Sequence, residues 1–371
     1  MNRRELIAGA VSVPFAFPTI DLDEDLIDPH PARHSAVRRI AFGSCAHQDK
    51  PQPIWDRILE WSPDLFIFLG DTIYGDGLDP AGLRDAYRRL GSKPSFRRFR
   101  DNVPIVAMWD DHDFGANDSG REYAQSQESK AIFLDFFGEA ALSQRRTRDG
   151  VQAAYVFGSP GASVHVVLPD LRMHRSALKV RNFQGADYST WAASYERAGQ
   201  PVPGPYDRQL DAGASMLNEA QWMWLERQMM VPATTKIFAS SLQVLADFPG
   251  WEAWVNFPRD RQRLLGMIDQ HRAEGIIFVS GDTHYGEISR LDRKAGSPLW
   301  DITSSGLTEI WATVAPNSNR IGTAHLGHNF GTLDLDWQPT GMEITAQIHG
   351  ADGEPRLRQR LPVARTALPE V

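Results

Sequence analysis

Residues 64–76 read DLFIFLGDTIYGD, and the change from apolar to polar residues within this stretch predicts the fold. The run LFIFL is continuously apolar and bounded by polar residues, which is typical of a strand buried on both faces. The cluster GDTIYGD, with Asp71 and Tyr74, follows directly. In α/β proteins, ligands and catalytic groups gather outside the carboxyl ends of strands. The stretch therefore predicts a buried strand whose end carries functional residues.

The same pattern recurs along the chain. Further runs of strand type are RRIAFGSC, VPIVAMWDD, SVHVVLPD, TKIFASSLQV, GIIFVSGDTH and LWDITSSG. Helical patterns lie between them in PIWDRILEW, DPAGLRDAYRRLG, LNEAQWMWLERQM and RDRQRLLGMIDQHRAEG. Near the end, GTLDLDW and MEITAQIHG alternate apolar and polar residues around QPTG, which predicts an antiparallel hairpin. We interpret the chain as one α/β domain.

The composition excludes several classes of protein. The 371 residues are 42% hydrophobic and 23% charged, as in an ordinary soluble globular chain. The net charge of −8 argues against a dedicated nucleic-acid binder, so we expect no nucleic-acid partner. No run of 18 or more apolar residues occurs, and we expect no transmembrane segment. The sequence leaves the oligomeric state open.

The N-terminus resembles an export signal. Arg3 and Arg4 precede a short, mostly apolar run, as in twin-arginine signals. We predict an export signal over 1–20, a linker over 21–36 and a single catalytic domain over 37–365. Export would place the protein in the periplasm or outside the cell. The alternative is an amphipathic N-terminus without this function.

Four strand runs end in polar clusters, GSCAH, GDTIYGD, WDDHDFGAND and SGDTHYGE. In the third cluster, Asp110, Asp111 and Asp113 place three carboxylates within four residues. Such a density of negative charge is costly unless cations neutralise it. The first cluster contains Cys45, the single cysteine of the chain. It is either a nucleophile, a metal ligand or a small buried residue, the commonest fate of a free cysteine.

The residue types in these clusters predict two unlike metal ions. Oxygen ligands suit hard cations, whereas a thiolate, a phenolate and an imidazole suit a transition metal such as iron or zinc. One ion would lie near Cys45 and Tyr74 and the other near the carboxylates, with Asp71 placed to bridge them. Two metals roughly 3.5–4 Å apart clamp a phosphoryl group and turn water into a nucleophile. Metal-assisted hydrolysis of a phosphate ester follows.

The clusters resemble the motifs of the PhoD-type alkaline phosphatase and phosphodiesterase family, within the metallophosphoesterase superfamily. GSC, GDTIY, WDDHD followed by Asn117, and SGDTH are similar to its four motifs, and LPDLRMHRS, LNEAQWMWL and ITSSGLT to further family patterns. The resemblance spans roughly residues 38–340. It implies a four-layer αββα sandwich with two mixed β-sheets flanked by helices. Asp113 departs from the commoner glutamate, and Leu171 from a threonine.

The resemblance also implies a set of metal ligands. The ligands of a first ion, Fe(III), would be Cys45, Asp71, Tyr74 and His284. The candidates for a second ion, Ca(II), are Asp111, Asn117 and Asp282. Zinc or manganese are alternatives, and the choice between Asp111 and Asn117 stays open. Gln243 is a further candidate, with a structural amide as the alternative, and Tyr74 could instead be a rim aromatic.

The remaining assignments concern catalysis and substrate binding. His112, oriented by Asp113, is the candidate general acid for the leaving oxygen, with a capping histidine as the alternative. His47 is a secondary candidate. The candidates for substrate binding are Arg172, His174, Arg175 and Trp254, together with Trp251 of the loop DFPGWEAWVNFP. An arginine at a strand end can pair with phosphate oxygens, although a solvated charge is the usual role of such a residue.

The predicted function is hydrolysis of phosphate monoesters, diesters or both, by attack of a metal-bound hydroxide on phosphorus. The substrate would be a small-molecule phosphate ester. A phospholipase D-like phosphodiesterase is one alternative. A different class is a thiol hydrolase with Cys45 as nucleophile and His47 or His284 as base. A third is a non-catalytic protein that binds phosphate or metal.

Overall fold

The computed structural model describes residues 26–247, 250–273, 275–338 and 341–361. The predicted export signal lies outside these residues, as do 21–25 of the predicted linker and 362–365 of the predicted domain. None of the helices in the described parts of the chain is long and apolar enough to cross a membrane.

Strands and helices alternate along most of the chain. The strands are β1 (Arg39–Gly43), β2 (Leu65–Leu69), β3 (Ile105–Met108), β4 (Ala153–Ser159), β5 (Ala162–Leu168), β6 (Lys179–Val180), β7 (Tyr206–Asp207), β8 (Thr235–Ser240), β9 (Ile276–Ser280), β10 (Gly286–Leu291), β11 (Leu299–Ser304), β12 (Asn329–Gln338), β13 (Gly341–Gly350) and β14 (Pro355–Leu361). The helices are α1 (Ile54–Trp61), α2 (Pro80–Ser92), α3 (Pro94–Asn102), α4 (Asp111–Phe114), α5 (Ser126–Phe136), α6 (Gln144–Thr147), α7 (Tyr188–Arg197), α8 (Glu219–Met230) and α9 (Pro258–Gln270).

Two six-stranded sheets form the centre of the molecule. The first has the order β14-β13-β12-β1-β2-β3, in which β1, β2 and β3 run parallel and β12 joins β1 antiparallel. The second has the order β10-β11-β9-β8-β5-β4, with a parallel centre from β11 to β5 and antiparallel edges. Both sheets are therefore mixed, as predicted. Strands β6 and β7 form a separate small hairpin.

Three apolar cores separate four layers. One core lies between the two sheets and contains only sheet residues and a few neighbours. A second joins the first sheet to helices α1, α2, α3 and α5, and a third joins the second sheet to α8 and α9. The predicted αββα sandwich is thus confirmed.

The position of strand β2 in the fold explains why the run LFIFL is apolar at every position. Leu65, Ile67 and Leu69 point into the core between the sheets, while Phe66 and Phe68 point into the helical layer. Successive side chains of a strand face opposite ways, so a strand between two cores needs no polar position. All five side chains are buried.

Helix α8 forms where its sequence predicts. The side chain of Asn218 accepts a hydrogen bond of 2.8 Å from the backbone N–H of Gln221, which caps the helix. Trp222, Leu225 and Met229 are buried on one face. The helix therefore covers the second sheet with an apolar stripe, as its periodicity predicted.

Residues 26–36 run beside the edge strand β4. The backbone N–H of Asp28 donates to the carbonyl of Ala154 at 2.7 Å, and the N–H of Gly158 donates to the carbonyl of Arg33 at 3.0 Å. The carboxylate of Asp28 is buried and accepts from Arg148 at 2.8 Å. This part of the predicted linker thus contacts the body of the protein, while the predicted domain boundaries stay predictions.

The carboxyl ends of β1, β2 and β3 meet those of the second sheet at one edge of the sandwich. Close approach there depends on glycine at Gly70, which has φ of +95°. A Cβ atom on Gly70 would lie 2.4 Å from Cβ of Asp110 and 2.7 Å from its backbone nitrogen. The glycine before Asp71 therefore lets the ends of β2 and β3 come together.

We expect Gly70→Ala to lower the free energy of unfolding by roughly 2 kcal/mol or more beyond the cost of a strained backbone alone. The matched control is Gly77→Ala, because Gly77 also has positive φ but has no atom within 4 Å of an added Cβ. Urea unfolding of both variants measures the difference. Equal destabilisation would show that the contact with Asp110 is unimportant.

Candidate metal centre

Residues that follow three different strands bring a thiol, a carboxylate and an imidazole together. Cys45 follows β1, Asp71 follows β2 and His284 follows β9, and one ligand atom from each lies within 4.8 Å of the others. The Cys45 thiol donates to Oδ2 of Asp71 at 3.2 Å. The hydroxyl of Tyr74 lies 3.1 Å from Nε2 of His284. The four residues predicted to hold the first ion are thus neighbours.

Three more groups of possible ligand atoms overlap with this one. They are Asp71 with Asp111 and His112, Asp110 with Asp111 and Asp282, and Asp111 with Asp118 and Glu252. Within each group the atoms lie within 4.8 Å of one another. Asp71 belongs to the thiol group and to the first of these, and Asp111 to all three. The groups therefore form one continuous chain of ligands.

The backbone is strained at these positions. Cys45, Asp71, Asp282 and His284 have φ of 64°, 49°, 70° and 59°, and Asp118 has φ of 54°. A non-glycine residue in this left-handed region costs about 1–2 kcal/mol, so such residues persist where neighbours hold them.

The turns that carry the ligands hold each other by hydrogen bonds, both within each sheet and between the two sheets. The N–H of Ala46 donates to the carbonyl of Asp71 at 2.8 Å, and the N–H of Thr308 to the carbonyl of Cys45 at 2.9 Å. The N–H of His284 donates to Oγ of Ser305 at 2.9 Å. Loops from both sheets therefore fix the ligand positions together.

Negative charge at the site exceeds the positive charge that contacts it. Oδ1 of Asp71, Oδ2 of Asp110 and Oδ1 of Asp111 are buried and have no hydrogen-bond partner among the described residues. Burial raises the pKa of Asp71 and of Asp282 well above the usual range, and nearby carboxylates raise both further. Orphaned carboxylate oxygens in such an environment fit bound cations.

The environment of Cys45 and His284 suits ligands rather than free bases. Cys45 is fully buried, and burial together with the charge of Asp71 raises the pKa of its thiol well above the usual range. Burial lowers the pKa of His284 to about 4, so its imidazole is neutral at neutral pH. A bound cation would favour the thiolate, whereas without one the thiol is a poor nucleophile.

His112 lies between Tyr74 and a carboxylate. Its ring stacks on Tyr74 with centroids 4.0 Å apart, and its Nδ1 lies 2.6 Å from Oδ2 of Asp76. Burial alone would lower its pKa, but the charges of Asp71 and Asp111 and the bond to Asp76 outweigh this and raise it to about 11. Asp76 thus orients the ring in the way predicted for Asp113.

Asp113 has another set of contacts. Its carboxylate accepts hydrogen bonds from the backbone N–H of Asp110 at 2.5 Å and of Thr72 at 3.1 Å. It therefore caps the short helix α4 and links the ends of β2 and β3. His47 also stacks on Tyr74, with ring centroids 4.8 Å apart.

The two arginines predicted to bind substrate are buried beneath the carboxylates. Nε of Arg172 lies 2.5 Å from Oδ1 of Asp110, and its Nη1 lies 2.7 Å from Oε2 of Glu252. Nη2 of Arg175 lies 3.1 Å from the same Glu252 side chain. Both arginines thus neutralise protein carboxylates, and neither is exposed to a ligand.

Three other candidates contact the body of the protein. His174 lies 3.0 Å from the carboxylate of Asp149, and fully buried Trp254 donates to Oγ of Ser240 at 3.0 Å within the third core. The amide of Gln243 donates to Glu287 at 2.7 Å. These residues do not line the cavity that opens over the ligand cluster.

That cavity has a volume of about 100 Å³. Its lining residues are Asp111, His112, Asn117, Asp118, Trp251, Glu252, Asp282, Thr283, His284, Tyr285, Trp311, Thr313 and Ala315. Asn117 is exposed at the rim. Asp76, Asp118, Glu252 and Trp311 were not predicted. Asp76 and Asp118 stand inside or beside the quoted motifs, whereas nothing near Glu252 distinguishes it from an ordinary loop carboxylate.

The shifted pKa values predict how stability depends on pH. Burial raises the pKa of Asp110 to about 6, of Asp113 to about 7 and of Asp118 to about 8. A carboxyl with a raised folded-state pKa stabilises the fold below its unfolded pKa near 4, and this contribution is lost as pH rises through the folded value. Bound cations would replace the lost protons.

We therefore expect the free energy of unfolding of chelator-treated protein to fall, relative to metal-loaded protein, between pH 5 and pH 8. The slope should approach 1.4 kcal/mol per pH unit for each proton released, to within about a factor of two. Urea unfolding at several pH values, with and without chelator, measures this difference. A difference that is constant across this pH range would contradict the expectation.

Comparison with known proteins supports the family and the fold that the motifs predicted. The family model described as PhoD-like phosphatase matches residues 40–329. The solved structure titled "Structure of PhoD" is 14% identical, with a TM-score of 0.60, covering 92% of this chain and 74% of that chain. GAP50, the anchor in the inner membrane complex of Plasmodium, is 12% identical, with a TM-score of 0.55 and 90% coverage of both chains. These two likenesses concern the fold.

Among curated proteins, none matches this chain. The family match nevertheless covers most of the described residues, including the ends of β1, β2, β3 and β9. The chain therefore belongs to the PhoD-like phosphatase family, as its motifs predicted, and is an enzyme of the alkaline phosphatase and phosphodiesterase type.

Proposed function

We propose that this protein hydrolyses small-molecule phosphate esters at the cavity over the ligand cluster, with two cation sites that share Asp71. One observation carries the proposal: the thiol group around Cys45 and the carboxylate groups around Asp111 overlap at Asp71. A shared carboxylate keeps two cations close enough to contact one phosphoryl group.

The donor atoms favour different ions at the two sites. A thiol, an imidazole and a phenol suit Fe(III), with zinc or manganese as alternatives, and the carboxylates suit Ca(II). We propose Asp111 rather than Asn117 as a ligand of the second ion, because Asp111 is buried among the other carboxylates whereas Asn117 is exposed at the rim. When bound, such cations neutralise the carboxylates, polarise the phosphoryl oxygens and make water more acidic.

His112 is our candidate for the proton donor. Hydrolysis forms a bond between a water oxygen and phosphorus and breaks the bond between phosphorus and the ester oxygen. The leaving oxygen takes up one proton, and the attacking water gives one up. Asp76 engages Nδ1 of His112, which leaves Nε2 to donate to the leaving oxygen. The contact with Asp76, which lies outside the four ligand groups, favours the protonated ring even where cations neutralise Asp71 and Asp111.

The thiol-hydrolase alternative lacks support in the geometry. Cys45 is fully buried, does not line the cavity, and its thiol is held by the Asp71 carboxylate and Ser305. A nucleophile must reach the substrate as a thiolate. We also propose export through the N-terminal segment, which Arg3, Arg4 and the short apolar run after them support.

We expect His112→Gln to lower kcat/KM by about 10²–10³-fold for esters with alkyl leaving groups, and much less for p-nitrophenyl esters, since p-nitrophenolate leaves without a proton. Asp76→Asn should show the same dependence on the leaving group, with a smaller loss of kcat/KM. Asp85→Asn, on the exposed surface of α2, is the control. Equal losses for both kinds of ester would exclude His112 as the proton donor.

Metal content tests the two sites separately. Cys45→Ala should lose the first ion and retain the second, whereas Asp111→Asn should do the reverse, with little change in unfolding midpoint for either after chelation. His174→Ala, away from the cavity, should retain both ions. Elemental analysis of protein purified without added metal checks this. Wild-type protein without stoichiometric metal, or normal iron in Cys45→Ala, would refute the assignment.

A further inference from the structure

The cavity has one wall that the proposed chemistry does not use. Trp251 and Trp311 both line it, and their rings meet edge to face with centroids 4.4 Å apart. Thr313 and Ala315 continue this wall, and Ile310 beside Trp311 is 50% exposed. We call Trp251, Trp311, Thr313 and Ala315 the aromatic wall.

The aromatic wall is fixed to the ligand cluster. The backbone N–H of Trp311 donates to the carbonyl of His284 at 3.2 Å, and the two rings are 5.8 Å apart. Trp251 also contacts Tyr188 of α7, with ring centroids 5.5 Å apart. A group attached to a phosphoryl group at the cluster would therefore meet an aromatic surface at a set distance.

The cationic groups of the cavity lie at the ligand cluster, because His112 belongs to one of the ligand groups and the proposed metal ions would bind in the same place. Neither lysine nor arginine occurs among its lining residues in the described parts of the chain. Arg172 and Arg175 lie beneath the surface and are engaged with Asp110 and Glu252. An anionic group held against the aromatic wall, away from the ligand cluster, would therefore have no lysine or arginine to pair with among the described lining residues.

We infer that the organic group of the substrate is neutral and aromatic or apolar, and that it binds against the aromatic wall. Tryptophan faces and edges contact flat rings well and gain from the apolar surface they remove from water. Polyphosphates and esters with carboxylate substituents are rejected because their extra charge has no partner.

This inference rests on the proposed function, and phosphonates test it because they carry one organic group and are not hydrolysed. We expect metal-loaded protein to bind phenylphosphonate about tenfold or more tightly than methylphosphonate by calorimetry. Trp311→Ala should abolish this preference and leave the affinity for inorganic phosphate unchanged. Trp311→Phe should keep most of the preference, and Trp61→Ala, a tryptophan of α1 outside the cavity, all of it.

Charge is tested separately with (4-carboxyphenyl)phosphonate, which we expect to bind at least about tenfold more weakly than phenylphosphonate. Thr313→Lys places a cation in the aromatic wall and should reverse most of this loss. Equal affinities for the three phosphonates, or a Trp311→Ala variant that loses inorganic phosphate as strongly as phenylphosphonate, would overturn the inference. Failure of the proposed function is a different result, in which metal-loaded protein binds neither inorganic phosphate nor any phosphonate and hydrolyses no ester.

Discussion

The interaction on which the site depends is the crowding of buried carboxylates where the carboxyl ends of two sheets meet. Asp71 and Asp110 follow neighbouring parallel strands, so the topology forces their carboxylates together. Water cannot reach oxygens such as Oδ1 of Asp71, and no protein group hydrogen-bonds to it among the described residues. Only protons or cations relieve this repulsion, so metal content, protonation and stability are coupled throughout the site.

The rest of the fold stabilises the strained backbone and the buried charges of the site. The left-handed backbone at Cys45, Asp71 and Asp282 costs free energy, and so do the unpaired carboxylates. Together these costs amount to several kcal/mol, on the order of the net stability of a domain. The three apolar cores offset that cost, and the hydrogen bonds between turns of both sheets prevent local relaxation. A single turn could not hold this geometry, because each ligand position depends on a loop from another strand.

Sequence reasoning succeeded where the cause is local. Strand β2 sits between two cores, so its continuous apolar run identifies it, and Asn218 caps α8 through its own neighbours. Sequence patterns did not predict contacts between residues that are distant along the chain. Asp76 reaches His112 across 36 positions, and Glu252 reaches Arg172 across 80, so no spacing rule could reveal either pair. Trp251 and Trp254 are only three residues apart, yet one lines the cavity and the other fills a core.

Arg172 illustrates how burial decides the role of a charged side chain. An arginine at a strand end would bind phosphate if its guanidinium reached the cavity, but Arg172 is fully buried against Asp110 and Glu252. Removing it would leave Asp110 without its paired cation and Glu252 with Arg175 alone, which costs more than losing an exposed ion pair. Because this cation offsets only part of the negative charge, the site needs metal ions for the rest. The phosphoryl group would then be bound by metal ions rather than by arginine, which leaves neutral surfaces such as the aromatic wall to select the organic group.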